Sequence, residues 1–308
     1  MRQLTKQVVF SVIVPYRNEA RHIGACCAAL QRQSLGRDRY ELVFVDNRST
    51  DGASEIIRST PGVTLIREER PGPYAARNAA LQRATGQFIA FTDADCAPAP
   101  DWLEQALQAM HATGAAVAIG PRHCPSGSAL AVRLLQDYEN AKLAFTLTQL
   151  PPRFAFGLCS NMIVRAEVFR RVGLFDPWER AADTAYLHRV MKHDPAHRVV
   201  FWPSMSVTHW GVRTTGQALR KLFVYGASNT RPARQNGYSP LRMGHRWALW
   251  RLCSQNPRYR TGHRFLLFGL MVAGGLLYKL GEAKTRLSAR AWNAPDSLNS
   301  ATRARDPD

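Results

Sequence analysis

Two aspartates end an apolar run in the segment QFIAFTDADCAP, residues 87–98. Asp93 and Asp95 stand two positions apart, so in an extended strand their side chains leave the same face. Two carboxylates held that close repel each other unless a cation shares them, and oxygen ligands suit Mn²⁺ or Mg²⁺. A strand-end turn with two solvated acids has the same spacing, so the pair alone leaves both interpretations open.

Three residues that could contact a ligand lie next to the neighbouring apolar runs. Pro15 opens a loop after the first run, Asp46 ends the second, and Arg77 lies just upstream of the aspartates. A carboxylate can accept the imide N–H of a uracil, and a planar guanidinium can bind a phosphate through two hydrogen bonds. The same residues also fit a turn proline, a strand-end acid and a solvated helix arginine.

The elements that must position these residues alternate between strand and helix. Apolar or β-branched runs predict strands at 8–14, 41–46, 63–66, 87–93, 115–120, 161–165 and 198–202. Helices are predicted from about Glu19, Gly52 and Pro73, over 128–148, and from 214 onward. This order predicts an α/β fold with a mostly parallel central sheet and helices on both faces. Ligands of such sheets bind beyond the carboxyl ends of the strands, where Asp46 and Asp93 would lie.

Four motifs, in this order, resemble the family 2 glycosyltransferases: SVIVPYRNE, VFVDNRSTD, GPYAARNAALQRATG and FTDADCAPAPDWL. The resemblance covers about residues 8–230 and implies a GT-A type, Rossmann-like fold. It also implies a set of residues that bind a nucleoside diphosphate sugar: Pro15, Tyr16, Asn18, Glu19, Asp46, Arg77, Asn78, Asp93 and Ala94. Asn47 stands where the family usually has a second aspartate, which leaves the nucleotide base open.

A downstream segment, FGLCSNMIVRAEVFRRVGLFDPWERAADTAYLHRV, resembles the acceptor side of the same family. The resemblance implies that Asp183 is the general base that takes the acceptor hydroxyl proton, although an aspartate in AADTAYL also fits a helix N-cap. Ala181 and Ala182 replace the usual Gly-Glu, so a glutamate expected to orient the acceptor is absent. The other residues implied on this side are Gly157, Asn161, Trp210, Gln217 and Arg220.

His209, in SMSVTHWG, matches a V-x-H that many members of the family carry after their last core strand. In that position it would complete the ligand shell of Mn²⁺ or Mg²⁺ together with Asp93 and Asp95. A lone histidine equally fits a partly buried ring without a metal.

The positive charge of the chain lies mainly at its C-terminal end. The net charge is +18, and from Gly211 onward 17 Lys or Arg residues face 4 Asp or Glu. We therefore expect anionic partners and divide the chain into a catalytic domain, 1–230, and a basic helical extension, 231–308. Within the domain the nucleotide-sugar half covers about 8–125 and the acceptor half about 126–230.

The extension contains a continuous apolar run, 265–278, followed by a polar tail that the composition predicts to be disordered. The run is shorter than the roughly 20 residues that a membrane-spanning helix needs. It predicts either a helix that rests on the inner face of the plasma membrane or a helix that packs on the domain. Six cysteines without a C-x-x-C pair predict reduced thiols in a cytoplasmic protein.

The expected function is a metal-dependent, inverting glycosyltransferase that moves a sugar, with UDP as the expected carrier, to a glycan or lipid-linked hydroxyl acceptor. The sequence lacks a dinucleotide-binding turn and a phosphate loop, and it carries no recognisable nucleic-acid-binding motif. Two alternatives remain: a catalytically silent nucleotide-sugar-binding protein, which Ala181-Ala182 would favour, and a nucleotidyltransferase.

Overall fold

The computed structural model of the protein describes residues 8–176, 181–193, 198–228 and 239–292. The strands in that part of the chain are β1 (Phe10–Tyr16), β2 (Tyr40–Asp46), β3 (Thr64–Arg67), β4 (Phe88–Thr92), β5 (Cys96–Pro98), β6 (Val117–Ile119), β7 (Arg122–His123), β8 (Asn161–Arg165), β9 (Val199–Phe201) and β10 (Val207–His209). The α-helices are α1 (Ile23–Gln31), α2 (Ala53–Arg58), α3 (Pro73–Leu81), α4 (Trp102–Thr113), α5 (Leu130–Thr148), α6 (Ala166–Val172), α7 (Ala182–His193), α8 (Thr215–Ser228), α9 (Met243–Ser254) and α10 (Thr261–Trp292).

The central sheet has seven strands in the order β3-β2-β1-β4-β8-β6-β9. β1 pairs in parallel with β2 and β4, β3 with β2, and β9 with β6, whereas β8 lies antiparallel between β4 and β6. The predicted α/β fold with a mostly parallel sheet is confirmed. Because helices cover both faces, β1 is buried along its whole length.

An apolar core lies on each face of the sheet. Val12 and Phe44 pack with Trp102 of α4 on one face, and Ile13 packs with Tyr186 of α7 on the other. Neighbouring residues of β1 serve opposite cores because successive strand side chains point to opposite faces. The resulting rigid sheet holds the loops at its carboxyl edge.

A second sheet of three very short strands, β5-β10-β7, lies beside the first. β10 pairs antiparallel with β5, so that His209 stands opposite Cys96. Strands of two or three residues show no alternating pattern, which is why the sequence did not predict this sheet. Its register brings a distant histidine next to the aspartate motif.

The C-terminal helices form a third apolar cluster with α5, in which Leu135, Leu249 and Leu267 meet. α10 runs along α8 with close backbone contact: a Cβ placed on Gly281 would lie 2.1 Å from the carbonyl oxygen of Phe223. The extension is helical, as predicted. The domain boundary predicted at 230, the tail after 292 and residues 177–180 of the acceptor-side motif lie outside the described residues.

The apolar run 265–278 forms only part of the helix that contains it, so the predicted element was too short. The run belongs to a much longer helix, and residues Thr261–Thr285 of α10 are long and apolar enough to cross a membrane by length and composition. Only 22% of an 18-residue stretch within this segment is buried inside the protein. Helix propensity extends the element beyond its apolar part because GEAKTRL offers good helix formers after Leu280.

Candidate active site

A cleft of about 870 Å³ opens at the carboxyl ends of β1 and β4. We call the part that the loops after these strands form its floor, the part at the start of α7 one wall, and the part that α8 and α10 line its roof. The predicted site residues that line it are Pro15, Tyr16, Glu19, Arg77, Asp93, Ala94, Asp95, Gly157, Asp183 and His209. The cavity thus brings together predicted site residues that lie up to 194 positions apart in sequence, from Pro15 to His209.

Asp93 is held by an arginine beneath it. Arg77 Nη2 lies 2.5 Å from Asp93 Oδ1, and the Arg77 side chain is only 5% exposed. Arg77 Nε finds no hydrogen-bond partner among the described residues. The sequence predicted that Arg77 binds a phosphate and that Asp93 binds a metal; the structure pairs the two with each other at the floor of the cleft.

Asp95 faces a histidine instead. His209 Nε2 lies 3.4 Å from Asp95 Oδ2. Burial lowers the pKa of His209 well below its ordinary value, and the nearby cations Lys221 and Arg122 lower that pKa further. The imidazole is therefore neutral at physiological pH and can offer a lone pair to a cation.

Burial, and next the negative charge of Asp93, raise the pKa of Asp95 to about 6. Ligand atoms of Asp95, His209 and Cys96 all lie within 4.8 Å of one another. Burial also raises the pKa of the Cys96 thiol well above its usual range, so the sulfur keeps its proton and is a poor ligand for a hard cation. A carboxylate and a neutral imidazole facing one cleft fit a divalent cation.

Gly211 supplies the space for this pair. A Cβ on Gly211 would lie 2.1 Å from Asp95 Oδ2 and 3.0 Å from His209 Cε1. The backbone N–H of Trp210 donates to the carbonyl oxygen of Asp95 over 2.8 Å, which ties the end of β10 to the aspartate motif. The conformation of both candidate ligands is thus fixed by the second sheet.

Asp183 lies at the first turn of α7 and lines the cleft. Its Oδ1 accepts from the Thr184 N–H over 2.8 Å and its Oδ2 from the Cys159 N–H over 3.2 Å. Burial raises the pKa of Asp183. Gly157 packs against it so closely that a Cβ there would lie 2.5 Å from the Asp183 carbonyl carbon, so Gly157 is required for the wall itself.

On the nucleoside side, several predicted residues hold the loop around 49–54. Asp46 accepts from the Ser49 N–H and the Ser54 hydroxyl, each over 2.8 Å. Asn18 Oδ1 accepts from the Thr50 N–H over 2.8 Å. Asp46 lines a smaller pocket of about 220 Å³ next to the main cleft.

Asn47 and Asn78 act as clamps between segments. Asn47 Nδ2 donates to the carbonyl oxygens of Glu68 and Arg70, over 2.9 and 2.7 Å, and its Oδ1 accepts from the Gly72 N–H over 2.8 Å. Asn78 bonds the backbone of Phe175 in both directions. The departure at Asn47 thus has a structural role, since an aspartate cannot donate to two carbonyls.

Four of the residues predicted on the acceptor side lie away from the cleft lining. Asn161 is fully buried, accepts from Trp102 Nε1 and donates to the carbonyl of Met205, so it is part of the core. Gln217 and Thr214 form a reciprocal capping box at the start of α8. Trp210 stacks on the ring of His22, and Arg220 is exposed on α8.

The cleft also contains residues that the sequence analysis did not identify. Arg122 and Lys221 line it near Asp95, and Tyr225 and Tyr278 contribute to its roof. The ring of Tyr225 lies 5.7 Å from Lys221 Nζ. Only the one-turn spacing of Lys221 and Tyr225 in α8, after the V-x-H segment, could have signalled part of this set.

Comparison with known proteins places the chain in a family. The glycosyl transferase family 2 model matches residues 11–173. Glycosyltransferase AglE of Haloferax volcanii is 29% identical over 234 residues, which cover 74% of this chain and 68% of AglE. Poly(ribitol-phosphate) β-N-acetylglucosaminyltransferase TarS of Staphylococcus aureus is 34% identical over 91 residues, which cover 28% of this chain but only 16% of TarS.

Solved structures show the same fold. Mannosyltransferase PcManGT from Pyrobaculum calidifontis, in complex with GDP-Man and Mn²⁺, superposes with a TM-score of 0.58 at 21% identity and covers 92% of this chain and 79% of its own. Residues 1–349 of S. aureus TarS in complex with UDP-GlcNAc give 0.56 at 17% identity, covering 91% and 92%. With this fold and family match, the chain belongs to glycosyl transferase family 2 and is a glycosyltransferase with a GT-A fold.

Proposed function

We propose that the protein transfers a sugar from a nucleoside diphosphate sugar to an acceptor hydroxyl, in one displacement that inverts the anomeric carbon. The observation that carries the proposal is that the Asp95–His209 pair and Asp183 line the same cleft. The pair can hold the diphosphate, and Asp183 can activate the acceptor.

Asp95 and His209 would hold the divalent metal, Mn²⁺ or Mg²⁺, which when bound offsets the negative charge that builds on the departing diphosphate. Asp93 and Arg77 form an ion pair at the floor of the cleft, on the side where the donor would bind. Arg122 and Lys221 add positive charge around the same position. The chain's own residues thus favour a bound anion before any chemistry occurs.

Asp183 accepts the proton of the acceptor hydroxyl as that oxygen attacks the anomeric carbon and the bond from this carbon to the diphosphate breaks. The raised pKa of its buried carboxyl makes it a stronger base than an exposed aspartate. Two backbone N–H groups donate hydrogen bonds to the Asp183 carboxylate and hold it in place. No covalent intermediate is needed for inversion.

The donor we propose is a UDP-sugar, and the acceptor is a hydroxyl of a lipid-linked or cell-envelope glycan on the cytoplasmic side of the membrane. The complex of TarS with UDP-GlcNAc supports uridine as the nucleoside of the donor. The complex of PcManGT with GDP-Man makes guanosine the alternative. TarS, named as a poly(ribitol-phosphate) β-N-acetylglucosaminyltransferase, supports a hydroxyl acceptor on a polymer.

Nucleoside diphosphate release by purified protein tests the proposal, with Mn²⁺ or Mg²⁺ and a panel of UDP-, GDP- and dTDP-sugars. We expect slow hydrolysis of one donor by the wild type and at least a hundredfold loss in Asp95→Ala and Asp183→Asn. Asp183→Asn should retain donor binding, since Asp183 is not one of the proposed metal ligands. Donor binding without turnover in the presence of acceptor glycans would indicate a silent binding protein, and pyrophosphate release a nucleotidyltransferase.

A further inference from the structure

α10 is apolar on two opposite faces, and one of them is largely exposed in the described protein. Leu267 and Leu270 are buried against the other helices. Phe265, Phe268, Val272, Leu276 and Leu280 recur every three or four residues on the outer side, with Phe265 72% and Leu276 63% exposed. This outer stripe is about 22 Å long at the helical rise per residue. Exposed apolar patches of this kind mark interaction sites.

α9 extends the outer stripe sideways. The rings of Trp247 and Trp250 stack with centroids 4.7 Å apart, and Trp250 meets Phe268 of α10 at 6.0 Å. Met243, one turn before Trp247, is 80% exposed. Tryptophan is the side chain that prefers the boundary between hydrocarbon and water. We call the combined surface of Met243, Trp247 and the outer stripe the apolar face.

The segment that carries the apolar face is mainly basic. Between residues 239 and 285 Glu282 is the one acidic residue, against eight basic ones. Arg246 lines the cleft, and the other seven are exposed: Arg242, Arg251, Arg258, Arg260, Arg264, Lys279 and Lys284. A second copy of this face would bring the same positive charge and be repelled, whereas an anionic lipid surface attracts it. The positive charge therefore favours an anionic bilayer over a second copy of this chain as the partner of the apolar face.

Packing decides whether α10 crosses the bilayer or lies on it. A Cβ on Gly226 of α8 would lie 2.0 Å from the carbonyl oxygen of Tyr278, and one on Gly281 2.1 Å from that of Phe223. α10 is thus joined to α8 backbone to backbone over its second half, and α8 carries the cleft residue Lys221. A spanning α10 would draw α8 and the polar cleft into hydrocarbon.

We propose that the apolar face docks on an anionic lipid bilayer, with α10 lying in the membrane interface rather than crossing it. An amphipathic helix with a basic rim binds membranes in this way. Met271, Gly274 and Tyr278, on the cleft side of the same helix, line the roof of the cleft. The docked enzyme would therefore open its acceptor side next to the lipid surface. The docking itself does not depend on the proposed reaction.

Co-sedimentation of the full chain with preformed vesicles tests this surface. We expect binding to phosphatidylcholine vesicles that contain 30% phosphatidylglycerol, weaker binding to pure phosphatidylcholine, and release by alkaline carbonate. The double variant Val272→Glu/Leu276→Glu, whose residues lie outside the cleft lining, should weaken the partition at least tenfold. Leu174→Glu, an exposed leucine on the catalytic domain, should bind as the wild type does.

Three results would overturn the proposal. The wild type could fail to bind phosphatidylglycerol vesicles, the double variant could bind as the wild type does, or the bound protein could resist carbonate extraction, which indicates a spanning helix. A dimer in sedimentation velocity that the double variant dissociates, without vesicle binding by the wild type, would assign the apolar face to a second copy. Donor hydrolysis, measured in parallel without vesicles, keeps the test separate from that of the transfer reaction.

Discussion

At the scale of one residue, the ionised carboxyl of Asp95 lowers the stability of the metal-free fold. Burial and the neighbouring Asp93 raise the pKa of this carboxyl to about 6 in the folded chain, whereas an unfolded chain loses the same proton near pH ~4. Ionisation of Asp95 therefore disfavours the metal-free fold, and the penalty grows between these two pH values. A bound cation removes it.

Asp95→Asn should therefore stabilise the metal-free protein at pH 7.5, by about 1–3 kcal/mol, because the amide carries no charge to desolvate. The gain should disappear below about pH 4, where the carboxyl is protonated in both states, and be complete above about pH 6. Melting temperature against pH, with a chelator present, measures this. With Mn²⁺ added, the wild type should gain stability and the variant should not; equal gains would place the metal elsewhere.

Asn47 provides a second test at the residue scale. Asn47→Asp should lower the free energy of unfolding by about 1–3 kcal/mol, because the carboxylate would face the carbonyl oxygens of Glu68 and Arg70 without a proton to donate. Urea denaturation measures the loss. Asn18→Asp is the matched control: Asn18 Oδ1 only accepts, from Thr50, so its replacement should be close to neutral. Equal effects would contradict the assigned donor role.

At the scale of elements, the start of α7 explains the departure at 181–182. Ala181 has a positive φ of 59°, a left-handed conformation that glycine adopts without strain, which accounts for the glycine that the family usually has there. Ala182 is fully buried in the core, so a glutamate at this position would not face the cleft in this arrangement. Asp183 still lines the cleft despite both changes.

Ala181→Gly should raise the free energy of unfolding by about 1 kcal/mol, because it removes the left-handed strain of a Cβ. Ala182→Gly, one position later in the helix, should lower it by about 1 kcal/mol or more, because a buried methyl and helix propensity are lost. Chemical denaturation of both variants gives the comparison. If the two changes had the same sign, the strain would not lie at Ala181.

At the scale of the whole molecule, the contact between α8 and α10 closes the roof of the cleft. Gly281→Ala should destabilise the protein by about 1–3 kcal/mol and lower donor turnover, because the methyl would displace the backbone of Phe223 and with it the helix of Lys221. Gly269→Ala, in the same helix with open space around it, should instead stabilise by about 1 kcal/mol. Thermal melting and nucleoside diphosphate release measure both effects.

Some features of the whole molecule could be predicted from the sequence, and others could not. The strand and helix order through residue 120 followed from apolar runs and turn residues, because such local patterns report burial directly. The cleft could be placed because parallel strands end at one edge. The roles of Asn161 and Asn78 could not be, since a hydrogen bond to a distant backbone atom leaves no periodic trace in the chain. The cap formed by Thr214 and Gln217 is local, and its Thr-x-x-Gln spacing is visible in the sequence.

The sequence by itself determined the fold, the family and the order of the motifs, because burial and turn chemistry are encoded locally. Only the tertiary structure decided that Arg77 pairs with Asp93 and that His209 reaches Asp95 through β5 and β10. It also decided that α8 and α10 close over the cleft while the apolar face of α9 and α10 stays exposed. His209 and Asp95 lie more than 100 positions apart, and the contact of α8 with α10 depends on close backbone approach at glycines. Arg77 and Asp93 are only 16 positions apart, but Arg77 belongs to α3 and Asp93 follows β4. A local pattern specifies none of these contacts.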